Sequence, residues 1–189
     1  MLSAPSRRLD VDRSGRHGRI VRTVFLVRHA KSSWSDATLA DIDRPLAPRG
    51  ERAAKKIGAY VRRKKIRPSL VLCSPSVRTR QTLEAIKPSL GKRCTVEFVP
   101  ALYAASKAEL LRQLRALPDS VESVMLVAHN PGLQDLALAL ASRGADLPKL
   151  EAKLPTAALA TLVSHCDRWT ALKPGDAELA DYVVPADLG

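Results

Sequence analysis

Three short apolar runs, at residues 24–27, 70–73 and 124–128, are each followed directly by polar residues. A continuous apolar run with polar ends is typical of a strand that is covered on both faces of a parallel sheet. Between these runs, apolar residues recur at helical spacing. Strand and helix patterns therefore alternate along the chain, which predicts an α/β fold.

The remaining elements follow from periodicity, capping residues and helix breakers. In the last predicted helix, Asn130 is expected as the N-cap and Pro131 as the first helical residue. The segment 33–50 is rich in Ser, Asp and Pro and predicts a long loop, which in a compact domain usually has a function. The predicted helices lie at about residues 48–64, 76–88, 106–117 and 131–142, and the further strands at 95–99 and 156–163.

The composition is that of an ordinary globular protein. The 189 residues are 46% hydrophobic and 26% charged, and no apolar run approaches the ~18–20 residues of a membrane span. The three cysteines are odd in number and widely spaced, so we expect no disulfide framework and a reducing compartment. The first residues lack the apolar segment of a secretory signal. We therefore expect a cytoplasmic protein without a membrane partner.

The net charge of +12 is less ordinary. Six arginines and two aspartates give +4 to residues 1–22, which are predicted to form a flexible basic extension. Residues 23–175 are assigned to one folded domain, and residues 176–189 to a loosely packed C-terminal tail. The positive charge would suit nucleic acid, an anionic membrane surface or a phosphorylated substrate, although a solvated surface is the simplest explanation.

Candidate chemistry lies at the carboxyl ends of the three predicted strands. Arg28 and His29 follow the first strand, Arg78 lies in the first turns of the helix after the second, and His129 follows the third. Ligands of open α/β sheets bind outside these strand ends, so the four side chains should converge on one crevice. Two arginines and two histidines would form a positively charged pocket that suits a tetrahedral dianion such as phosphate. One histidine could accept a phosphoryl group, while the other and the arginines stabilise the transferred charge.

Four further residues could line this phosphate site: Lys31, Ser32, Ser74 and Asn130. Each could equally be a cap or loop residue. The neighbouring arginines would repel a metal cation and no metal-ligand spacing is present, so we expect neither a metal nor another cofactor. The cysteines lack matching His and acidic partners, and the glycine-rich motifs of nucleotide-binding proteins are absent from the sequence.

The stretch Arg28-His29-Ala30-Lys31-Ser32 resembles the Arg-His signature of the histidine phosphatase superfamily, whose fold is phosphoglycerate mutase-like. The Ala-Lys-Ser continuation is similar to the SixA-type phosphohistidine phosphatase branch, whereas phosphoglycerate mutases carry Gly-Glu-Thr there. The resemblance covers about residues 22–163. Its other motifs follow in the same order, at residues 43–46, 49–50, 74–75, 78–82, 102–103 and 127–131.

The resemblance implies a three-layer α/β/α sandwich with a mostly parallel sheet. It also implies that His29 accepts the phosphoryl group and that Arg28, Arg78 and His129 form the phosphate pocket. The expected function is removal of phosphate from a phosphorylated histidine of a partner protein, in phosphorelay signalling, with inorganic phosphate as the product. Two alternatives stay open: a phosphomonoesterase of the same superfamily that acts on a small phosphorylated substrate, and a non-catalytic module that binds phosphoproteins or nucleic acid.

One departure from the superfamily bears on the substrate. Larger members carry a glutamate general acid near position 102, whereas residues 101–105 here contain no carboxylate. A proton donor accelerates the departure of an alcohol by about 10²–10⁴-fold. An imidazole that leaves from a P–N bond departs as a neutral ring if it is already protonated, so the missing acid favours phosphohistidine. Asp36, Asp41 and Asp43 in the long loop remain candidate proton donors.

Overall fold

The computed structural model describes residues 21–189, which fold around one seven-stranded sheet. The strands are Arg22–Arg28 (β1), Leu70–Cys73 (β2), Thr95–Phe98 (β3), Ser123–Ala128 (β4), Ala141–Arg143 (β5), Leu159–Ser164 (β6) and Ala177–Val183 (β7). Their order across the sheet is β3-β2-β4-β1-β6-β7-β5. Six of these strands share one direction and β6 opposes them, so the predicted mostly parallel sheet is confirmed.

Alternating side chains of the central strands build two cores, one on each face of the sheet. On β1, Val24 and Leu26 belong to one core, whereas Phe25 and Val27 belong to the other. The helices are Pro48–Arg63 (α1), Val77–Ile86 (α2), Lys107–Arg115 (α3), Gly132–Leu140 (α4) and Leu147–Ala152 (α5). Helices α3, α4 and α5 contribute to the first core, and α1 and α2 to the second. The three-layer α/β/α sandwich is therefore confirmed.

The expectation of a loosely packed tail over residues 176–189 is wrong. Strand β7 lies between β6 and β5, and it buries Ala177, Leu179 and Val183. The hydroxyl of Tyr60 in α1 donates a 2.6 Å hydrogen bond to Asp181 Oδ2, which ties the strand to the helical layer. Apolar side chains at alternate positions are the pattern of a half-buried strand, so the folded domain extends almost to the end of the chain.

The expected basic extension, residues 1–22, lies outside the described residues apart from Val21 and Arg22. Arg22 begins β1 and is only 2% exposed. Its guanidinium donates to the backbone oxygens of Asp119 and Val121 at 2.7 and 2.9 Å, as a buried charge requires. Arg22 is therefore part of the domain. Across residues 21–189, every helix is too short or too polar to cross a bilayer.

The β1–α1 loop, residues 29–47, closes on itself at a narrow base. The Ser33 N–H donates to the Pro45 carbonyl oxygen, and the Ala47 N–H donates to that of Lys31, both at 2.8 Å. A 3₁₀ turn, Asp41–Asp43, forms part of the segment beyond this base. A loop with closely spaced ends and an ordered turn is typical of the compact surface loops that carry function.

Candidate active site

The side chains expected to carry the chemistry lie at one edge of the sheet. Strand β4 lies between β2 and β1, and the register pairs Arg28 with Ala128. His29 and His129 follow these paired residues, and the centroids of their rings are 5.0 Å apart. Arg78 Nη2 lies 3.4 Å from the Nδ1 atom of His129. The structure therefore brings together both histidines and Arg78, with Arg28 at the adjoining strand end.

His29 keeps one ring nitrogen free. Its Nδ1 lies 2.8 Å from the carbonyl oxygen of Ala30, which can only accept a hydrogen bond, so Nδ1 carries the proton of the neutral ring. The lone pair of Nε2 is then available. The Ala30 N–H donates to Thr82 Oγ1 at 2.9 Å, and the Thr82 hydroxyl donates to the Arg78 carbonyl oxygen at 2.6 Å. Helix α2 therefore holds both Arg78 and the backbone beside His29.

His129 is held from two sides of its ring. Because a guanidinium can only donate, the Arg78 contact assigns the lone pair to Nδ1 and the proton to Nε2. That proton is donated to Ser74 Oγ at 2.8 Å. Tyr103 packs edge-on against the imidazole, with centroids 5.4 Å apart. His129 is buried and has one orientation set by side chains from α2 and the β2–α2 connection.

Both histidines are neutral at neutral pH. Burial lowers the pKa of His29 to about 4; the hydrogen bond to Ala30 opposes this shift, and the charges of Arg78 and Arg28 add to it. Burial also lowers the pKa of His129 to about 3, with contributions from His29 and Arg78. Only the neutral imidazole has the lone pair that a nucleophile needs, so the surroundings maintain His29 in its reactive form.

The two arginines have different surroundings. Arg78 is 7% exposed and donates to Asp41 through both terminal nitrogens. Arg28 is half-buried, and its Nη1 donates to the Leu154 carbonyl oxygen at 2.8 Å. The buried Nε of Arg28 has no hydrogen-bond partner within the described residues. Arg28 also has no carboxylate partner in that part of the chain, so its charge is not neutralised by an ion pair.

Asp41, expected only as a candidate proton donor, is an ionic partner of the site. Its Oδ2 accepts hydrogen bonds from Arg78 at 2.7 Å and from the Tyr103 hydroxyl at 2.8 Å, and its Oδ1 accepts one from Arg44 at 3.1 Å. The Tyr103 hydrogen bond, with Arg78 and Arg44, holds the pKa of this carboxyl below its ordinary value. An ionised carboxylate has no proton to give. Asp41 in this position competes for the anion-binding face of Arg78.

The other two candidate proton donors do not contact the site. Asp36 is exposed and accepts hydrogen bonds from Thr38, and Asp43 is exposed in the turn beside Asp41. Between residues 21 and 189, no group of three or more His, Cys, Asp or Glu side chains is arranged to hold a metal ion.

The four residues predicted to line the phosphate site have different partners. Ser74 bonds directly to His129, as described above. Ser32 Oγ instead accepts a hydrogen bond from Arg44 at 3.1 Å, and Lys31 borders a cavity that also touches Arg28. Asn130 bonds to the backbone segment that holds Arg28. Of the four, only Ser74 makes a hydrogen bond to one of the two histidines.

Asn130 does not cap α4, contrary to the expectation. The helix begins at Gly132, and Pro131 takes the cap position. The Asn130 amide donates instead to the Leu154 carbonyl oxygen and to Gln134 Oε1, both at 3.1 Å. These partners, one of them distant in sequence, replace the local cap. Because Leu154 also accepts from Arg28, Asn130 supports the position of that arginine.

Three residues of the site were not predicted from the sequence: Tyr103, Arg44 and Thr82. Each lies within a motif of the family resemblance, at 102–103, 43–46 and 78–82. The motif positions were therefore a signal that could have found them. The partners of these residues could not be deduced from the sequence. Tyr103 and Thr82 contact residues that are distant in the chain, and the contacts of Arg44 depend on how the β1–α1 loop folds.

Comparison with known proteins places this geometry in a family. Residues 24–103 match the model of the histidine phosphatase superfamily (branch 1). An uncharacterized protein of Mycobacterium tuberculosis is 35% identical over 163 residues, which are 84% of this chain and 99% of the relative. Phosphohistidine phosphatase SixA of Escherichia coli is 30% identical over 110 residues, 57% of this chain and 67% of that protein.

A solved structure from Nakamurella multipartitia, provisionally assigned as the phosphohistidine phosphatase SixA, has a TM-score of 0.76 and 28% identity. The alignment covers 87% of this chain and 96% of that one. The α/β/α sandwich with an Arg-His pair at the carboxyl end of its first strand defines a phosphoglycerate mutase-like fold. The chain belongs to the histidine phosphatase superfamily. Its predicted resemblance to the SixA-type members is confirmed.

Proposed function

We propose that the protein is a phosphohistidine phosphatase that removes the phosphoryl group from a histidine of a partner protein. The free Nε2 lone pair of His29, beside His129 and two arginines, carries this proposal. In it, His29 is the nucleophile, Arg28 and Arg78 bind the phosphoryl oxygens, and the Nε2–H of His129 exchanges Ser74 for one of these oxygens. The similarity to SixA proteins supports phosphohistidine as the substrate class.

In the first step, the His29 Nε2 lone pair attacks phosphorus. The Nε2–P bond forms while the P–N bond to the substrate imidazole breaks, and that electron pair returns to the substrate ring. The substrate ring leaves as neutral imidazole because its second nitrogen already carries a proton. The positive charge passes to the His29 ring, where the Ala30 carbonyl oxygen stabilises it by accepting the Nδ1–H bond.

Positive charge and N–H donors stabilise the phosphoryl oxygens during transfer. Arg78 exchanges Asp41 for these oxygens, whereas Arg28 has no carboxylate to release. We propose that the reaction needs no metal ion, because two guanidinium groups already supply the charge and would repel a divalent cation placed between them.

Hydrolysis of the phosphoenzyme completes the cycle. A water oxygen bonds to phosphorus, the P–Nε2 bond breaks, and its electron pair returns to His29. The proton that water loses remains with the released inorganic phosphate. The leaving group of both steps is an imidazole, so neither step requires the carboxylic acid that residues 101–105 lack.

The cellular setting belongs to the same proposal. A protein substrate with phosphohistidine implies a role in phosphorelay signalling, and we place the protein in the cytoplasm. The three cysteines, Cys73, Cys94 and Cys166, are all unpaired, which suits a reducing compartment.

The test compares a phosphohistidine-bearing protein with p-nitrophenyl phosphate. We expect wild type to release phosphate from the histidine substrate and to carry an acid-labile phosphoryl label. His29→Ala should lose both by more than about 10³-fold, because it removes the nucleophile. The matched control is His165→Ala, the same substitution at a histidine that lines a different cavity, and it should retain both.

Each other outcome selects a different function. Hydrolysis of the ester alone would favour a phosphomonoesterase of small molecules. Absence of both turnover and label would favour a binding module, whose affinity for an anionic partner should then fall steeply with salt.

A further inference from the structure

A cavity of about 530 Å³ shares Arg28 with the proposed active site. It is bordered by Lys31, by Arg49 at the N-terminal end of α1, and by Lys153 in the segment before β6. Neither of the two histidines nor Arg78 lines it. This space, called here the Arg28 cavity, therefore adjoins the proposed phosphoryl pocket without being part of it.

The charged side chains of the Arg28 cavity are all positive. None of them forms an ion pair within residues 21–189, whereas the buried Arg22, Arg44 and Arg78 each pair with an aspartate. Cations that converge without counter-ions repel one another and raise the local concentration of anions. The residues concerned are Arg28, Lys31, Arg49 and Lys153.

Two further features favour an anion in this cavity. Helix α1 has 16 residues and no side-chain cap at its N-terminal end, so its dipole adds positive potential there, which Glu51 in the first turn offsets only in part. The buried Nε of Arg28 has no hydrogen-bond partner in the described part of the chain. A buried donor without an acceptor is costly, and an anionic group beside Arg28 would reduce that cost.

The rest of the lining is apolar apart from Thr156 and includes Ala53, Pro155 and Val184. Cations together with apolar lining suit the short aliphatic stem and charged end of an Asp or Glu side chain better than a bare inorganic ion, which gains nothing from apolar contact. We propose that the Arg28 cavity binds an acidic side chain of the polypeptide that carries the phosphohistidine. This inference rests on the proposed function and specifies its substrate: a target histidine with Asp or Glu close to it.

The test uses two phosphohistidine peptides that differ only in the residues beside the target. One has Asp and Glu there, and the other has Asn and Gln. Wild type should process the acidic peptide with a kcat/KM about fivefold higher, the ratio expected for a partly exposed ion pair, and the gain should lie in KM. The preference should shrink as salt is added. Free phosphohistidine lacks the flanking residues and should be hydrolysed equally by wild type and the cavity variants.

Variants of the cavity identify the residues responsible. Arg49→Ala and Lys153→Ala should each remove most of the preference, and Lys153→Glu should reverse it. Arg52→Ala is the matched control, because it removes the same charge from an exposed position of α1 that does not line the cavity. This control should keep the full preference for the acidic peptide.

Binding of both peptides to His29→Ala separates the cavity from the chemistry. If neither peptide is turned over by wild type but the acidic one still binds His29→Ala about fivefold more tightly, the proposed function fails and the cavity assignment stands. Equal affinity for the two peptides would overturn the assignment. Equal losses of affinity in Arg49→Ala and Arg52→Ala would do the same, because they would reduce the effect to overall charge.

Discussion

Arg78 and Arg28 both act on the same histidines, yet their electrostatic situations are opposite. Arg78 is buried and already bound to the Asp41 carboxylate, whereas Arg28 is half-buried and bonded to a backbone carbonyl. A buried cation without an anion is costly, and the protein supplies an anion to Arg78 from its own loop. One side of the site must therefore exchange ligands when phosphate binds, while the other keeps its charge available.

Replacing each arginine by lysine tests this comparison most severely. Arg78→Lys keeps the charge but loses the planar fork, so we expect kcat/KM for a phosphohistidine substrate to fall by about 10²–10³-fold. Arg28→Lys should cost about tenfold, because Arg28 is only half-buried and lysine keeps the positive charge that this side of the site contributes. The control Arg80→Lys, at an exposed position of α2, should leave kcat/KM unchanged. A larger loss at Arg28 than at Arg78 would reverse the assigned importance of the two sides.

Removing the Asp41 carboxylate should leave Arg78, like Arg28, without an ion-pair partner among residues 21–189. Asp41→Asn deletes the anion that competes for Arg78, so inorganic phosphate should inhibit with a Ki about fivefold lower than in wild type. Asp43→Asn is the matched control, because it removes a charge from the same 3₁₀ turn without touching an ion pair. An unchanged or higher Ki in Asp41→Asn would contradict the competition.

A smaller effect in the same direction is expected from Tyr103→Phe. This change removes the hydroxyl that donates to Asp41 Oδ2 and leaves the ring against His129. The Ki of inorganic phosphate should fall by about twofold, the effect of one exposed hydrogen bond on the loop. In the double variant with Asp41→Asn, the tyrosine change should have no further effect. Additive effects of the two substitutions would mean that Tyr103 acts independently of Asp41.

The smallest expected effect is on stability, and it comes from the two buried histidines, His29 and His129, as the pH falls below neutral. Their pKa values, about 4 for His29 and about 3 for His129, lie below the ordinary 6.5. The unfolded chain therefore binds more protons than the folded one as pH falls below about 6.5, and stability should decline through that window. Tm measured from pH 7 to pH 5 should fall less in His129→Gln than in wild type. Parallel Tm curves for the two proteins would refute the pKa assignment for His129.

The position of the site was predictable because parallel strands impose it. The apolar runs that became β1, β2 and β4 are covered on both faces, and the residues that follow them necessarily emerge at one edge. The three aspartates of the β1–α1 loop look equivalent in the sequence. Only the folded loop distinguishes Asp41, which reaches Arg78 and Tyr103, from Asp36, which bonds within the loop.

Strand β7 and residue Asn130 show a second limit of sequence-based prediction. The alternation of Ala177, Leu179 and Val183 is interrupted by Asp181, whose carboxylate is satisfied by the distant Tyr60 hydroxyl. Asn130 is a residue type preferred at helix N-caps, but its side-chain amide donates to the carbonyl oxygen of Leu154, 24 residues away in the chain. Local patterns miss polar groups whose partners come from elsewhere in the fold.

The narrow base of the β1–α1 loop makes the protein modular for engineering. Bonds from Ser33 to Pro45 and from Ala47 to Lys31 close the base, while Thr82 separately secures the backbone next to His29. Residues 35–40, which exclude Asp41, Arg44 and the Trp34 ring that stacks on Arg44, can therefore be exchanged or lengthened without removing a side chain of the site, at a closure cost that grows only slowly with length. Grafting this exposed segment between homologues would alter the entrance of the site while Asp41 and the phosphoryl-binding side chains stay in place.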